Sequence, residues 1–304
     1  MTGGCDRCGH TRWQLRACSR RSDAAILGGA ASHGLSSSVQ TDANQIAGKK
    51  TVSNPFAVSW VAPEYAVSRP DVHSRFIEVA HQEMGSPPPF ARALDIGCGT
   101  GLSCRALLRV AQLVVGIDPS IPMLQHAASP GAVFYIAARA EAIPVVDAAF
   151  DVACISCAFH WCEPERLLSE VGRLVRPGGW LLIFDSTLRG WSDGSREPVE
   201  CLTAEYWSRL PYCPRNPYFD PAHHQPDAFA LHATRFVKQP VRLSVAGLSA
   251  FIRTQASTVA AVQSGHATLP ELRDRLDGCL YRLFAGNPTK ELLLGGVLSI
   301  LLRR

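Results

Sequence analysis

The 304-residue chain has no apolar run long enough for a membrane span. The longest candidates, at 113–117 and 292–302, are short and broken by glycine or polar residues, so no membrane span is expected. It also lacks a strong charge of one sign: 30 basic against 26 acidic residues leave +4, too little for an electrostatic footprint on nucleic acid, and no nucleic-acid partner is expected. Charged residues make up only 18% and hydrophobic ones 47%, a globular balance that excludes a disordered chain as a whole. There is no internal repeat. The cysteine count, 11, is odd and spread along the length, which fits reduced thiols better than a disulfide framework. A reducing compartment follows as the expectation, the cytoplasm first.

Residues 1–50 differ from the rest. They carry Arg7, Arg12, Arg16, Arg20 and Arg21, few acids, many Ser and Gly, and no sustained apolar period. They read as a disordered or targeting extension, with a mitochondrial or plastid transit segment as the alternative to a plain tail. Cys5, Cys8 and His10 resemble half a zinc site, but no second pair follows at finger-like spacing, so no metal is expected. Residues 51–90 are read as a lid segment, 91–186 as the ligand-binding core, and 187–304 as a cap with closing strands of the same domain.

From position 91 a regular alternation begins. Strands are expected at 91–96, 112–117, 132–136, 150–156 and 180–184, with helices at 102–110, 121–128 and 164–175 between them. Strands alternating with helices at this pitch mean a parallel sheet covered on both faces. The rhythm is lost over 187–233, which is rich in Pro, Tyr, Trp and His and reads as an irregular cap. Further on, 233–243 and 296–302 read as strands, 248–261 and 269–285 as helices.

In open parallel sheets, ligands settle outside the carboxyl ends of the strands. The first such end is Asp95-Ile96-Gly97-Cys98-Gly99-Thr100-Gly101. A dinucleotide fingerprint wants its third glycine at 102, where this chain has Leu102; the third glycine is Gly101 instead, and this weakens a nicotinamide dehydrogenase reading. Asp118 closes the second strand, where a carboxylate can accept hydrogen bonds from both hydroxyls of a nucleoside ribose.

The runs ALDIGCGTGLSCRALL, VVGIDPSIPMLQHA, ARAEAIPVVDAAFD, AFHW and LVRPGGWLLIFD, in this order over 91–185, resemble the class I methyltransferases. Within them the chain is most similar to the methyltransferase type 11 group of ubiquinone-type and trans-aconitate-type enzymes. Tyr65-Ala66-Val67-Ser68-Arg69-Pro70 resembles the Y-x-x-x-R-P segment that precedes the core in the trans-aconitate-like branch. The resemblance implies a Rossmann-like α/β fold with a mostly parallel seven-stranded sheet and a C-terminal cap. It implies S-adenosyl-L-methionine as cofactor. Asp95, Gly97, Gly99 and Gly101 would line its methionine part and Asp118 its ribose. Pro119 and Met123 would flank adenine, Ala140 and Glu141 would meet its edge, and Tyr65 and Arg69 would close over it. Many relatives carry Asp where this chain has Arg139, leaving Glu141 as the nearby acid.

The expected activity is methyl transfer to a small-molecule acceptor, a carboxylate or hydroxyl oxygen first. A quinone-type carbon acceptor and a catalytically silent cofactor-binding protein are the alternatives. His160, just past the fourth strand, is the candidate base or acceptor-orienting residue, and Trp161 a pocket wall. Tyr218, His223 and His224 fall in the cap and read as surface residues. Cys154, Cys157 and Cys162 read as packing residues, because a reactive thiol needs exposure and a low pKa.

Overall fold

The computed structural model describes residues 55–304 apart from 129 and 225, so residues 1–50 and their Cys5, Cys8 and His10 lie outside the described residues. In chain order the elements are helices α1 (Val61–Ser68) and α2 (His73–Glu83), strand β1 (Phe90–Ile96), α3 (Leu102–Leu107), β2 (Ala111–Asp118), α4 (Ile121–Gln125), β3 (Val133–Ala137) and β4 (Phe150–Ser156). There follow α5 (Pro164–Leu174), β5 (Val175–Phe184), β6 (Thr187–Trp191), α6 (Glu197–Glu205), β7 (Phe229–Ser244), α7 (Val245–Arg253), α8 (Ala256–Gln263), α9 (Leu269–Phe284) and β8 (Thr289–Arg303). Short 3-10 turns lie at Pro55–Ala57, Phe159–Trp161 and Trp207–Arg209.

The apolar runs of β1 to β5 pair in parallel, β3-β2-β1-β4-β5. Their side chains alternate between two cores, as the pleat requires. Leu94, Ile96, Val115, Ile117, Ala153 and Ile155 face α5, whose Leu167, Leu168, Val171 and Leu174 cover them. Ala93, Val114, Val152, Cys154 and Leu182 face the other way, under Phe76, Ile77 and Ala80 of α2 and Cys104 and Leu107 of α3. The long β8 closes the sheet in antiparallel fashion. Its one edge takes β5 and then β6 end to end, and its other edge takes β7 along its full length. A third core joins α6, α7 and α9 over Leu188, Trp191, Leu292 and Leu294, and makes a helical roof beside the sheet's carboxyl edge.

This is the Rossmann-like architecture expected, with one correction: among the described residues the sheet has eight strands, not seven. The additional strand is β6, in the stretch expected to be irregular, which also holds α6. Another difference is the expected helix at 248–261, which is broken into α7 and α8. Arg69 binds at the break: its Nη2 donates to the Thr254 carbonyl at 2.7 Å, and its Nε to Thr254 Oγ1 at 3.1 Å. Among the described residues no helix is long and apolar enough to cross a membrane.

Candidate functional site

The carboxyl ends of β1, β2, β4 and β5 open into a cavity of about 1600 Å³, roofed by the segments around 207–218 and 251–257. Two loops meet at its floor. Gly97, Gly99 and Gly101 all have positive φ, so the chain after β1 turns sharply. A Cβ at Gly97 would collide with the Ala158 methyl, which makes that position doubly restricted. The turn presents the Gly99 N–H to Asp118 at the end of β2, and Asp118 Oδ2 accepts it at 2.9 Å. Asp118 Oδ1 accepts from the Ser120 N–H at 2.7 Å. Burial raises the Asp118 pKa against the pull of these two bonds. Each carboxylate oxygen keeps a second acceptor site, so Asp118 can still receive two hydroxyls from the cavity.

Of the residues singled out from the sequence, Tyr65, Arg69, Gly97, Gly99, Asp118, Pro119, Met123, Ala140, Glu141, His160 and Trp161 all line this cavity. Asp95 and Gly101 do not. Asp95 is fully buried beneath the glycine turn, where its Oδ2 accepts from Ser103 Oγ at 2.6 Å and Cys104 Sγ at 3.0 Å. Its Oδ1 has no partner among the described residues, and burial pushes its carboxyl up to about 6. Gly101 is covered by the Tyr135 hydroxyl, which occupies the place a Cβ would need.

Part of the 51–90 stretch expected as a lid, from Phe56 to His73, lines one side of the cavity. Phe56 stands edge-on between Tyr65 (5.8 Å) and Trp161 (5.9 Å), and its carbonyl accepts from Ser120 Oγ at 2.8 Å. Arg69 sits between the rings of Tyr65 and Phe251, 4.3 and 4.7 Å from their centroids, and no carboxylate pairs with it among the described residues. A cation so sandwiched is held rigid and keeps its charge for the cavity. Glu141 is more committed. Its Oε1 accepts from the Glu163 N–H at 3.0 Å and its Oε2 lies 3.4 Å from Arg139 Nη2.

His160, in the 3-10 turn after β4, is buried, with Nδ1 3.4 Å from Asp185 Oδ1 but not aligned for a hydrogen bond. Trp161 and Tyr218 flank its ring at 4.8 and 4.7 Å. This arrangement leaves Nε2 as the nitrogen available to the cavity. Cys154 is buried as a packing residue, whereas Cys157 and the largely buried Cys162 both reach the cavity wall. Burial and Asp185 push the Cys157 thiol up to about 12, which keeps it protonated and slow to react at neutral pH. Tyr218 also reaches the wall, while His223 is exposed and tied to Asp220.

Sequence reasoning missed His73, Asp185 and Phe56. His73 lines the cavity from α2, and burial lowers its pKa to about 4. Asp185 could have been found: it ends β5 as Asp118 ends β2, a carboxylate at a strand's carboxyl edge. His73 and Phe56 carry no such signal, because they come from helices outside the alternating core.

Residues 94–183 match the family described as methyltransferase domain. Among curated proteins, the chain is 42% identical over 91 residues to a malonyl-[acyl-carrier protein] O-methyltransferase of Pseudescherichia vulneris, covering 29% of this chain and 36% of that one. It is 34% identical over 155 residues to the protein of the same name in Serratia marcescens, covering 49% and 58%. To a ubiquinone biosynthesis O-methyltransferase of Brucella anthropi it is 34% identical over 116 residues, covering 36% and 46%. The chain thus spans between 36% and 58% of the length of these relatives. A solved structure assigned to the type II methyltransferases, from Anaeromyxobacter dehalogenans, shares the fold with a TM-score of 0.56 at 20% identity, covering 75% of this chain and 95% of that one. It is thus the stretch at residues 94–183 that matches the methyltransferase domain family.

Proposed function

We propose that the protein is an S-adenosyl-L-methionine-dependent methyltransferase acting on an oxygen of a small-molecule acceptor. The observation that carries this reading is the bond between the Gly99 amide and Asp118, which joins two strand-end loops at the floor of one cavity. The residues present fit the cofactor. Asp118 has acceptor capacity for the ribose hydroxyls, and Pro119, Met123 and Ala140 offer apolar surface for adenine beside it. Arg69, without a carboxylate partner, suits the amino-acid carboxylate, and Tyr65 closes over the same end. Asp95 supports the glycine turn from below through Ser103 and Cys104.

When bound, this cofactor supplies a methyl already activated on a sulfonium, so transfer is an in-line displacement. The protein contributes chiefly position and dryness, and well-oriented reactants recover on the order of 7–11 kcal/mol of barrier. His160 Nε2 takes the proton when the acceptor is a hydroxyl, and Asp185 faces the other ring nitrogen at 3.4 Å. A carboxylate acceptor needs no base, and His160 then only orients it. Trp161 and Tyr218 fix the imidazole plane. An oxygen acceptor is supported by the names of the relatives, which include O-methyltransferases of malonyl-[acyl-carrier protein] and of ubiquinone biosynthesis.

The test is calorimetric titration with S-adenosylmethionine and S-adenosylhomocysteine. Asp118→Ala loses two charge-assisted hydrogen bonds, and a loss of about 10–100-fold in affinity is expected. An acceptor screen following S-adenosylhomocysteine formation then compares wild type with His160→Ala. Tight binding of a nicotinamide dinucleotide with none of the sulfonium cofactor rejects the reading. Full rate in His160→Ala on a hydroxyl acceptor removes that residue from catalysis.

A further inference from the structure

Outside the cavity, one group of reactive side chains stands out. Cys201 on α6 and Cys279 on α9, 78 positions apart, have their Sγ atoms 2.7 Å apart. Cys201 is half-exposed and Cys279 is buried behind it. Glu205, one turn further along α6, has an oxygen 3.6 Å from Cys201 Sγ, and its other oxygen is paired with Arg282 of α9. Two thiols in contact across two helices do not need to be close for packing, since any small apolar pair would fill that space.

We infer that Cys201 and Cys279 form an oxidation site, closing to an intrachain disulfide by exchange with a small-molecule disulfide of the glutathione type. The more accessible thiol reacts first. Cys201 loses its proton and its sulfur attacks the reagent, forming a mixed disulfide and releasing one small thiol. Cys279 then gives up its proton, attacks Cys201 Sγ and displaces the second small thiol. Two protein thiols are oxidised to one disulfide, and the reagent is reduced to two thiols. The approach left between the sulfurs is only about 0.7 Å, given a bond of roughly 2.05 Å.

Burial pushes both thiols up, Cys279 to about 12, with the carboxylate of Glu205 adding to the rise and Arg282 opposing it. Exchange is therefore slow at neutral pH and faster in alkali. The same logic separates this pair from Cys98 and Cys104, which also neighbour one another near Gly116 but are both buried beyond reach of a reagent. A divalent cation is the competing occupant, since Cys201, Glu205 and Cys279 place their ligand atoms within 4.8 Å of one another. Arg282 on the Glu205 carboxylate puts a fixed positive charge beside that position and disfavours it. The position in the fold gives the bond a consequence. α6 runs directly into Trp207, Ser208 and Leu210 on the cavity wall, so the cross-link would fasten the root of that wall to the helical roof.

The full chain, first reduced, is incubated at pH 8 with oxidised glutathione, and its peptides are mapped without reduction. The expected product is a linked Cys201–Cys279 peptide pair, absent in Cys201→Ala and in Cys279→Ala. The melting temperature should rise by about 5–10 °C in wild type, revert with dithiothreitol and stay unchanged in Cys201→Ala, a half-exposed position that tolerates the change. Cys201 carrying a glutathione adduct with Cys279 still alkylatable would overturn the proposal. So would one equivalent of zinc bound to the reduced chain and lost in Cys201→Ala.

Discussion

Asp95 holds a carboxyl group where no water reaches, with Ser103 and Cys104 bonded to one oxygen and, among the described residues, nothing to the other. Its pKa is raised from 3.8 to about 6, so its share of stability is fully present below about pH 4 and is lost as pH rises through 6. Roughly two pH units correspond to about 3 kcal/mol. Asp95→Asn removes that penalty while keeping shape and an acceptor. Its melting temperature should exceed that of wild type at pH 8, and the gap should close toward pH 4. A gap independent of pH would mean the carboxyl titrates normally. His73 works in the opposite sense. Lowered from 6.5 to about 4 by burial, it contributes stability that is present above pH 6.5 and lost as pH falls through 4. His73→Leu should flatten the acid limb of a melting-temperature profile between those limits, and an unchanged limb would assign acid unfolding to other groups.

Among the elements, α9 carries its own start signal. Thr268 Oγ1 accepts from the Glu271 N–H at 3.4 Å and the Glu271 carboxylate accepts from the Thr268 N–H at 2.8 Å, a reciprocal cap. Thr268→Ala should cost about 1 kcal/mol by urea denaturation and leave cofactor affinity unchanged, because the cap lies away from the cavity. A matching loss of affinity would mean that the roof and the site are strongly coupled. Such local signals explain what could be read from the sequence. The short apolar runs of β1, β2 and β4, the glycine turn and Asp118 are written within a few residues of one another, and so is the site they make. α6 was not legible: it is nine residues long and has Pro198 in its first turn, where proline fits a helix but reads as a breaker in an irregular stretch. β6 is a five-residue strand whose pairing partner lies about a hundred positions away in β8. The break between α7 and α8 has no glycine or proline to announce it, and the Thr254 carbonyl there is bonded by Arg69, 185 positions away.

That last contact bears on the molecule as a whole. The cavity is assembled from the 55–73 segment, the sheet edge at 97–166 and the roof from 185 onward. Arg69 crosses from that segment to the roof through Thr254. Glu64 of α1 does the same through Arg253 of α7, whose Nη1 donates to Ser249 Oγ at 2.8 Å, while Ser249 Oγ donates to Asp277 of α9 at 2.6 Å. A ligand that fills the cavity therefore touches one side of a network that runs from the 55–73 segment into the helical roof. Free ligand at a hundred times its Kd adds about 2.7 kcal/mol to the bound state, a rise of roughly 5–10 °C in melting temperature for a chain of this size. With S-adenosylhomocysteine bound, amide exchange should slow together in 61–69, 97–104 and 248–258, and unfolding should remain a single transition. Arg253→Ala breaks a partly buried pair, at a cost of roughly 2 kcal/mol between the surface and buried extremes, and should confine the protection to 97–104. If wild type already shows protection only at the glycine turn, the 55–73 segment and the roof respond independently, and the network of side chains joining them carries no coupling.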